Sequence, residues 1–336
     1  MIRAFHLLIY SCVFIYCSFV NAQNRFEYTH QQMGTQIGLV FYDMEDNDVK
    51  ADSIAQLVFN RIDELNNSLS NYLPQSEINR LSSSSNINVA VGEDLLRLLQ
   101  ISVDYAEKTN GAFDITLGPL IELWRKARQN NQLPLIDEIQ SALKRIGYDN
   151  LEFLAGNIIK LKKDCMQLDV GGIGKGFAAD EAINLLKRLG ITTALVDMGG
   201  DITVSDAPPN KDFWTLGFSY FDNKGEEVFQ KIKLKNQAVA TSGDLYQYVL
   251  IDGKRYSHII DPKNGMALSN NIQVTTIAAN GSMADAYASA LSVLGIEGSK
   301  KIIQETPDLE VFLVEDVPEQ YQQWNSSGFL NYIIKD

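Results

Sequence analysis

Apolar positions recur at helical spacing from Ser53 to Leu69, so that Ile54, Leu57, Val58, Ile62, Leu65 and Leu69 share one predicted helix face. Just before it, Thr35 to Tyr42 reads as a strand. Asp94 to Thr109 predicts a second strongly apolar helix, stopped by Asn110-Gly111. Two shorter helices are expected over Leu120 to Arg128 and Asp137 to Arg145, joined by a polar loop, Gln129 to Gln132. The pattern then turns to strands, at Leu151 to Phe153, Ile158 to Leu161 and Met166 to Val170. Phe177 to Leu189 predicts a helix with Gly190 as its stop, and Thr193 to Asp197 a buried strand. Hairpins dominate the rest, with turn signals at Asp222-Asn223-Lys224-Gly225 and Asp252-Gly253, interrupted by one helix over Ser282 to Leu294. Helices and hairpins mixed in this way predict an α+β protein, and no Pro, Gly or Ser-rich linker marks a domain boundary.

The N-terminal stretch follows a different pattern. Arg3 precedes an apolar run from Ala4 to Val20, and Val20-Asn21-Ala22 places small residues at the spacing a signal peptidase reads. Residues 1–22 are therefore expected to be an export signal, leaving 23–336 as a single domain. The alternative is an uncleaved anchor, although the run is shorter than the roughly 20 residues a spanning helix needs. Tyr16 is bulky where lipid attachment at Cys17 would want a small neighbour. Of 3 cysteines, Cys12 and Cys17 fall in this segment and only Cys165 lies beyond it, so no internal disulfide is expected. Export without disulfides suggests a bacterial envelope protein stabilised by its core. With 336 residues and 45% hydrophobic positions the chain can bury a sizeable core. Its 29 Lys and Arg against 42 Asp and Glu give a net charge of -13, which opposes nucleic acid as a partner. An anionic small ligand would need a metal or a local cationic spot.

Several segments carry candidate chemistry. Asp169-Val170-Gly171-Gly172-Ile173-Gly174-Lys175-Gly176 reads as a strand running into a glycine-rich turn and a lysine at a helix start, which suits a phosphate. A Walker A loop is excluded, because Gly176 stands where Ser or Thr must bind magnesium. A dinucleotide fingerprint, Gly174-x-Gly176-x-x-Ala179 with Asp197 about 20 residues on, stays open, as does a turn whose glycines serve packing alone. Asp197 and Asp201 flank a glycine pair, and Asp201 also reads as a plain turn residue. Asp285 and Ser289 lie one helical turn apart and offer hard oxygens for Mg²⁺, while Ser282-x-x-Asp285 also fits a capping box. His258, on a strand ahead of Asp261-Pro262-Lys263-Asn264-Gly265, has the near-neutral pKa of a general base, or is an ordinary strand histidine. Thr241-Ser242-Gly243 follows a short strand and offers hydroxyls and amides for an anion nest. Tyr72, and Gly111-Ala112-Phe113-Asp114 at a helix end, combine aromatic rings with polar groups, suited to a planar ligand or to packing.

The order of these motifs resembles the ApbE family of flavin transferases, the FAD:protein FMN transferases. The resemblance covers about residues 30 to 300. It rests on Met33-Gly34-Thr35, on Tyr72 before Ser76-Glu77-Ile78, and on Gly111 to Asp114 with Pro119, Leu120 and Trp124. It continues through Asp169 to Gly176, Asp197 to Asp201, Thr241 to Gly243, Ser257 to Gly265 and Ala284 to Ser289. Taken together, these motifs override the nicotinamide reading.

The resemblance implies an α+β, ApbE-like fold of mixed, largely antiparallel sheets flanked by helices. It implies a Mg²⁺-dependent transfer of FMN from FAD to a Thr or Ser hydroxyl of a redox protein, with release of AMP. By position, Met33, Tyr72, Ala112, Phe113, Asp114, Asp169, Lys175 and Ile259 or Ile260 are expected FAD contacts, and Thr241 and Ser242 candidate donors to it. The Gly172 carbonyl, Asp285 and Ser289 are the expected Mg²⁺ ligands. Ser289 stands where the family usually has Thr, which keeps the oxygen but loses the methyl that stiffens χ1. Gly172 stands where Ala is frequent, a change expected to be harmless if only the carbonyl ligates. His258 is the expected base and Asp261 the fallback. The rivals are an FAD pyrophosphatase and an exported flavin-binding protein without turnover. The expected location is the periplasm or cell envelope, with attachment to the inner membrane left open.

Overall fold

The computed structural model describes residues 23–222, 224–243, 248–317 and 320–335. The export segment read over residues 1–22, with Cys12 and Cys17, and Asn223 of a predicted turn lie outside these.

A hairpin of β1 (Asn24–Gln32) and β2 (Thr35–Asp43) begins the described chain, closed by Met33 and Gly34 at φ 52° and 73°. Next come α1 (Asp48–Leu69), capped by the Asn47 side chain, α2 (Glu77–Ser82), the two-residue β3 (Val89–Ala90) and α3 (Glu93–Lys108). Then follow α4 (Gly118–Asn130), α5 (Ile136–Leu143), β4 (Leu151–Leu154), β5 (Ile158–Leu161) and α6 (Gly174–Arg188). The second half runs β6 (Thr193–Asp197), β7 (Ile202–Val204), β8 (Trp214–Phe221), β9 (Glu227–Leu234), β10 (Gln237–Gly243), β11 (Tyr248–Ile251) and β12 (Lys254–Ser257). It closes with β13 (Ile272–Ala278), α7 (Gly281–Glu305), β14 (Glu310–Val317) and β15 (Gln320–Asn325).

The main sheet has the order β1-β2-β6-β7-β10-β13-β14-β15, and each neighbouring pair is antiparallel. Both of its faces are covered. Alternate residues of β13 show this: Val274 and Ala278 join the large cluster under α1, α3, α6 and α7, whereas Ile277 joins a second cluster with Trp214, Phe218 and Phe329 under the β8–β9 hairpin. Every residue of β13 is accordingly buried. A third cluster sits apart from the sheet and joins α4 and α5 to the β11–β12 ribbon, through Leu120, Trp124, Ile139, Tyr256 and Ile260. The architecture is α+β, as expected.

Four local readings are corrected. Leu57 is 48% exposed, because Ile54, Val58, Ile62, Leu65 and Leu69 form a narrow seam and Leu57 lies about 100° from its centre. Met166 to Val170 forms no strand, and its one β-bridge among the described residues joins Gln167 to Leu117. Its amides are taken instead by Ser82 Oγ at Leu168, the Ile115 carbonyl at Asp169 and Asn71 Oδ1 at Val170. The helix expected from Phe177 begins at Gly174, so the glycine run is partly its first turn. The last helix continues past Leu294 to Glu305, broken at Gly295 with φ 65° and ψ -174°. The dinucleotide-fingerprint reading fails as well, because α6 leads into β6, which pairs antiparallel with both neighbours.

Candidate active site

The glycine turn is built for close backbone approach. A Cβ on Gly176 would lie 2.1 Å from the Gly281 carbonyl oxygen, and one on Gly281 would lie 2.6 Å from the Gly176 oxygen. The first turns of α6 and α7 therefore pack main chain against main chain, which only glycine permits here. Asp180, one turn along α6, completes the joint by accepting from the Gly281 and Ser282 amides at 2.6 and 2.8 Å and from Ser282 Oγ at 2.6 Å.

That arrangement overturns the capping-box reading of Ser282 and Asp285. Asn280 is the N-cap, accepting from the Met283 amide at 2.9 Å. Asp285 is thus left to face the glycine turn, where its Oδ2 accepts from the Gly176 amide at 3.2 Å. It is buried, and burial together with the nearby Asp201 carboxylate holds its own carboxyl well above the usual range. Asp201 is pushed up to about 6, by burial first and by Asp197, against the pull of Lys175. Lys175 Nζ stands 3.9 Å from Asp201 Oδ2. Asp197 itself accepts from the Gly199 and Gly200 amides at 2.9 and 2.7 Å, and so shapes the turn that carries Asp201.

Ser289 follows Asp285 by one turn and meets the glycine run at Gly172, where a Cβ would lie 2.8 Å from Ser289 Oγ. An Ala introduced at this position would press on the hydroxyl. The structure brings together Gly172, Gly176, Lys175, Asp201, Asp285 and Ser289. Among the described residues no three His, Cys, Asp or Glu side chains gather as a metal centre. The donors here are instead a carboxylate, a hydroxyl and main-chain oxygen near a second carboxylate, all hard oxygens. Two mutually repelling buried carboxylates facing one lysine fit a divalent cation such as Mg²⁺.

A second group of residues flanks the turn. Asp169 Oδ1 accepts from the Gly171 amide at 2.8 Å, and its Oδ2 pairs with Arg125 at 3.2 Å, while burial pushes its carboxyl up. The same guanidinium lies 4.8 Å from the centre of the Tyr72 ring and donates to Tyr72 Oη at 3.2 Å. Tyr72 is 78% exposed, so one side of its ring stays available. A cavity of about 910 Å³ opens beside this pair, its wall including Asn71, Ser82, Glu122, Arg125 and Asp169. A smaller one of about 310 Å³ lies at the α3–α6–α7 junction, lined by Arg97, Tyr105, Phe177 and Asp180, without Gly172 or Asp285. Ala112 and Phe113 are buried, with Phe113 Cε2 3.6 Å from the place of a Cβ on Gly172. Asp114 serves its own loop, accepting from the Thr116 amide and hydroxyl and from the Tyr148 amide. Met33 sits half-buried against the main core at the β1–β2 turn.

The ribbon and its following turn hold the remaining candidates. β12 ends at Ser257, so His258 stands just past the strand and is partly buried. Asp261 is occupied by its own turn, accepting from the Lys263 amide at 2.9 Å and the Asn264 side chain at 2.7 Å. Trp124 Nε1 donates to the Gly265 carbonyl at 2.9 Å and fixes that turn on α4. Ile260 is buried in the α4–α5 cluster, whereas Ile259 is only half-buried. Thr241 to Gly243 do not follow a strand but form the end of β10, paired with Thr275, Val274 and Gln273, so the nest reading is corrected. Thr241 Oγ bonds Thr275 Oγ at 3.0 Å, and its amide serves Asp201.

Three residues that build this site were not singled out by sequence. Asp180 joins the two helix starts, Arg125 links Asp169 to Tyr72, and Asn71 accepts from the Val170 amide and donates to the Leu168 carbonyl. A carboxylate one turn past Gly176 was the available signal for Asp180. Arg125 and Asn71 sit next to residues of the quoted motifs but carried no signal of their own.

A family model described as the ApbE family matches residues 33–313. The chain is 29% identical over 275 residues to an FAD:protein FMN transferase of Escherichia coli strain K12, covering 80% of this chain and 78% of that protein. A protein of the same name from Treponema pallidum is 32% identical over 241 residues, 67% of each chain. Among solved structures, a flavin transferase from Vibrio cholerae superposes with a TM-score of 0.83 at 26% identity, over 92% of this chain and 99% of that one.

Proposed function

The chain belongs to the ApbE family, and on that premise we propose that it is an FAD:protein FMN transferase, moving the FMN half of FAD onto a Thr or Ser hydroxyl of an acceptor protein and releasing AMP. The observation that carries this reading is the buried Asp285 carboxylate, held by the Gly176 amide and facing Asp201, Lys175 and Ser289 where two helices begin. In an acidic chain such a cluster calls for a cation before it can accept a diphosphate.

The Gly172 carbonyl, Asp285 and Ser289 would hold Mg²⁺, which when bound neutralises and polarises phosphoryl oxygens. Lys175 adds a mobile positive charge beside Asp201. Tyr72, steadied by Arg125, presents an open ring face next to the larger cavity, suited to a planar part of the dinucleotide. Asp169 holds both Arg125 and the Gly171 amide, and so couples that ring to the glycine turn. His258 takes the proton of the acceptor hydroxyl as its oxygen bonds to the FMN phosphorus and the bond to the AMP oxygen breaks. Of the two base candidates His258 is favoured, because both Asp261 oxygens already serve the turn. In this reading residues 23–336 act as one catalytic domain, and residues 1–22 direct it to the cell envelope, where the acceptor is a redox protein.

Mass spectrometry of a candidate envelope redox protein after incubation with this enzyme, FAD and Mg²⁺ tests the reading. The expected result is an added FMN on one Thr or Ser, with AMP released in equal amount. Free FMN with no modified acceptor would replace it with FAD hydrolysis, and intact FAD with simple flavin binding.

A further inference from the structure

We propose that Ser257 is a positioning residue for transfer, its hydroxyl holding the bulge that aims His258. This inference rests on the transferase reading, in which His258 takes the acceptor's proton, and adds what sets the direction of that imidazole.

The register of the turn shows the bulge. Beyond β12 the chain doubles back, with the Gly265 amide donating to the Asp261 carbonyl at 2.8 Å and the Asp261 amide to the Met266 carbonyl at 2.9 Å. Ile260 then bridges Ala267. Continuing that antiparallel register places Ile259 opposite Leu268, where the two residues would exchange both of their main-chain bonds. Only one of the two is made. The Leu268 amide donates to the Ile259 carbonyl at 2.9 Å, but the Leu268 carbonyl accepts from the amide of Ser257, two residues early, at 2.7 Å. His258 is therefore squeezed out of the ladder, and the Ile259 amide loses its strand partner. Ser257 Oγ replaces that partner, accepting from the Ile259 amide at 3.1 Å.

What the hydroxyl holds is the peptide next to the imidazole. The Ile259 amide lies in the plane that follows the His258 Cα, so fixing its direction fixes ψ of His258. On the other side, Ser257 is held by Leu268 and by its pairing with Tyr248 of β11. Ile260 anchors the far end in the α4–α5 cluster. The imidazole thus leaves a main chain fixed on both sides, which suits a group that must meet a proton at hydrogen-bond distance. Ser257 itself is 1% exposed, so its hydroxyl acts through His258 and not on a substrate.

The test compares wild type, Ser257→Ala, His258→Ala and the double variant. Single-turnover FMN transfer to a candidate envelope redox protein is followed by mass spectrometry with FAD and Mg²⁺, and FAD binding by flavin fluorescence. Ser257→Ala is expected to slow transfer by about 10 to 100-fold, the cost of a reacting group held about 1 Å out of place, while FAD affinity stays within about twofold. In the His258→Ala background the same substitution should change the rate by less than about twofold, because a hydroxyl that only aims the imidazole has nothing left to aim. A merely structural hydroxyl would slow both backgrounds alike. Imidazole C2–H resonances add a reading independent of turnover. Of the 3 histidines, His258 is assigned by the signal missing in His258→Ala, and Ser257→Ala should move that signal and leave the one from His30 in place. Transfer at the wild-type rate by Ser257→Ala, equal slowing in both backgrounds, or an unmoved His258 resonance overturns the proposal. A wild type that attaches no FMN would overturn the transferase reading instead, and the His258 resonance would still decide whether Ser257 sets that side chain.

Discussion

The amide of Gly176 donates to Oδ2 of Asp285 across 3.2 Å, tying the first turn of α6 to the first turn of α7. The bond exists because a glycine at 176 lets the two main chains meet. In Gly176→Ala the new Cβ would fall 2.1 Å from the Gly281 oxygen, a clash with backbone that no side-chain rotation relieves. We expect a loss of at least about 3 kcal/mol, or failure to fold. Thermal unfolding measures it, and a Tm within a degree or two of wild type would show that the helices do not need this approach.

The same joint depends on Asp180. Asp180→Ala leaves the Gly281 and Ser282 amides without their acceptor at a partly buried helix start. A loss of about 2 kcal/mol is expected, with a larger fractional loss of Mg²⁺ affinity than of FAD affinity, because α7 carries Asp285 and Ser289. Chemical denaturation alongside calorimetric Mg²⁺ titration separates the two effects.

Gly172 and Ser289 form a matched pair. In Gly172→Ala the Cβ would stand 2.8 Å from Ser289 Oγ and push the hydroxyl aside. The Mg²⁺ concentration giving half-maximal transfer should rise about tenfold, in line with disturbed support of a ligating group. Activity followed over a Mg²⁺ series checks this, and an unchanged requirement would remove Ser289 from the metal site.

Much of this was legible in the sequence, and the misses share a cause. Helix cores, strand positions and the glycine run follow from periodicity and turn chemistry, which are local. Met166 to Val170 looked like a strand because its apolar alternation is real, yet its amides are met by Ser82, Asn71 and Ile115 from distant segments. Ser282 and Asp285 matched a capping box by spacing, but Asp180, about a hundred residues earlier, supplies the competing acceptor. Thr241 to Gly243 looked like a loop because β10 pairs with strands remote in sequence. Spacing could place Asp285 and Ser289 on one face, but not Asp201 next to them.

Asp201 gives the site a pH signature. Its carboxyl is raised to about 6 in the folded protein, so between about pH 4 and 6 the fold holds a proton that the unfolded chain has released. The stability from this group is present at low pH and is lost as pH rises through about 6, by up to about 3 kcal/mol. Metal-free protein should therefore lose stability between pH 5 and 7.5 relative to Asp201→Asn, which lacks the titration. Added Mg²⁺ should narrow that gap, since binding favours the ionised carboxylates, and Mg²⁺ affinity should rise up to about tenfold per pH unit below 6. Paired Tm measurements with and without Mg²⁺ decide it: parallel metal-free pH profiles for wild type and variant would show that Asp201 does not titrate in this window, and a gap that Mg²⁺ leaves unchanged would place the cation elsewhere.

His258 and Asp261 are three residues apart but should fail in different ways. Asp261 accepts from the Lys263 amide and the Asn264 side chain, so Asp261→Ala loosens a turn that Trp124 holds against α4. A stability loss of about 1 kcal/mol with a modest fall in rate is expected. His258 lies just beyond β12, and His258→Ala should leave FAD affinity and Tm near wild type while slowing transfer by about 10² to 10⁴-fold. The pH dependence distinguishes a base from a packing residue. A base gives a wild-type rate that rises with pH through the imidazole range, and the variant should lose that limb as well as its rate. Single-turnover transfer across pH 5 to 9, with FAD binding measured separately, reads both quantities. A His258→Ala enzyme that keeps the rising limb, or transfers FMN at the normal rate, would move the proton-accepting role to another group.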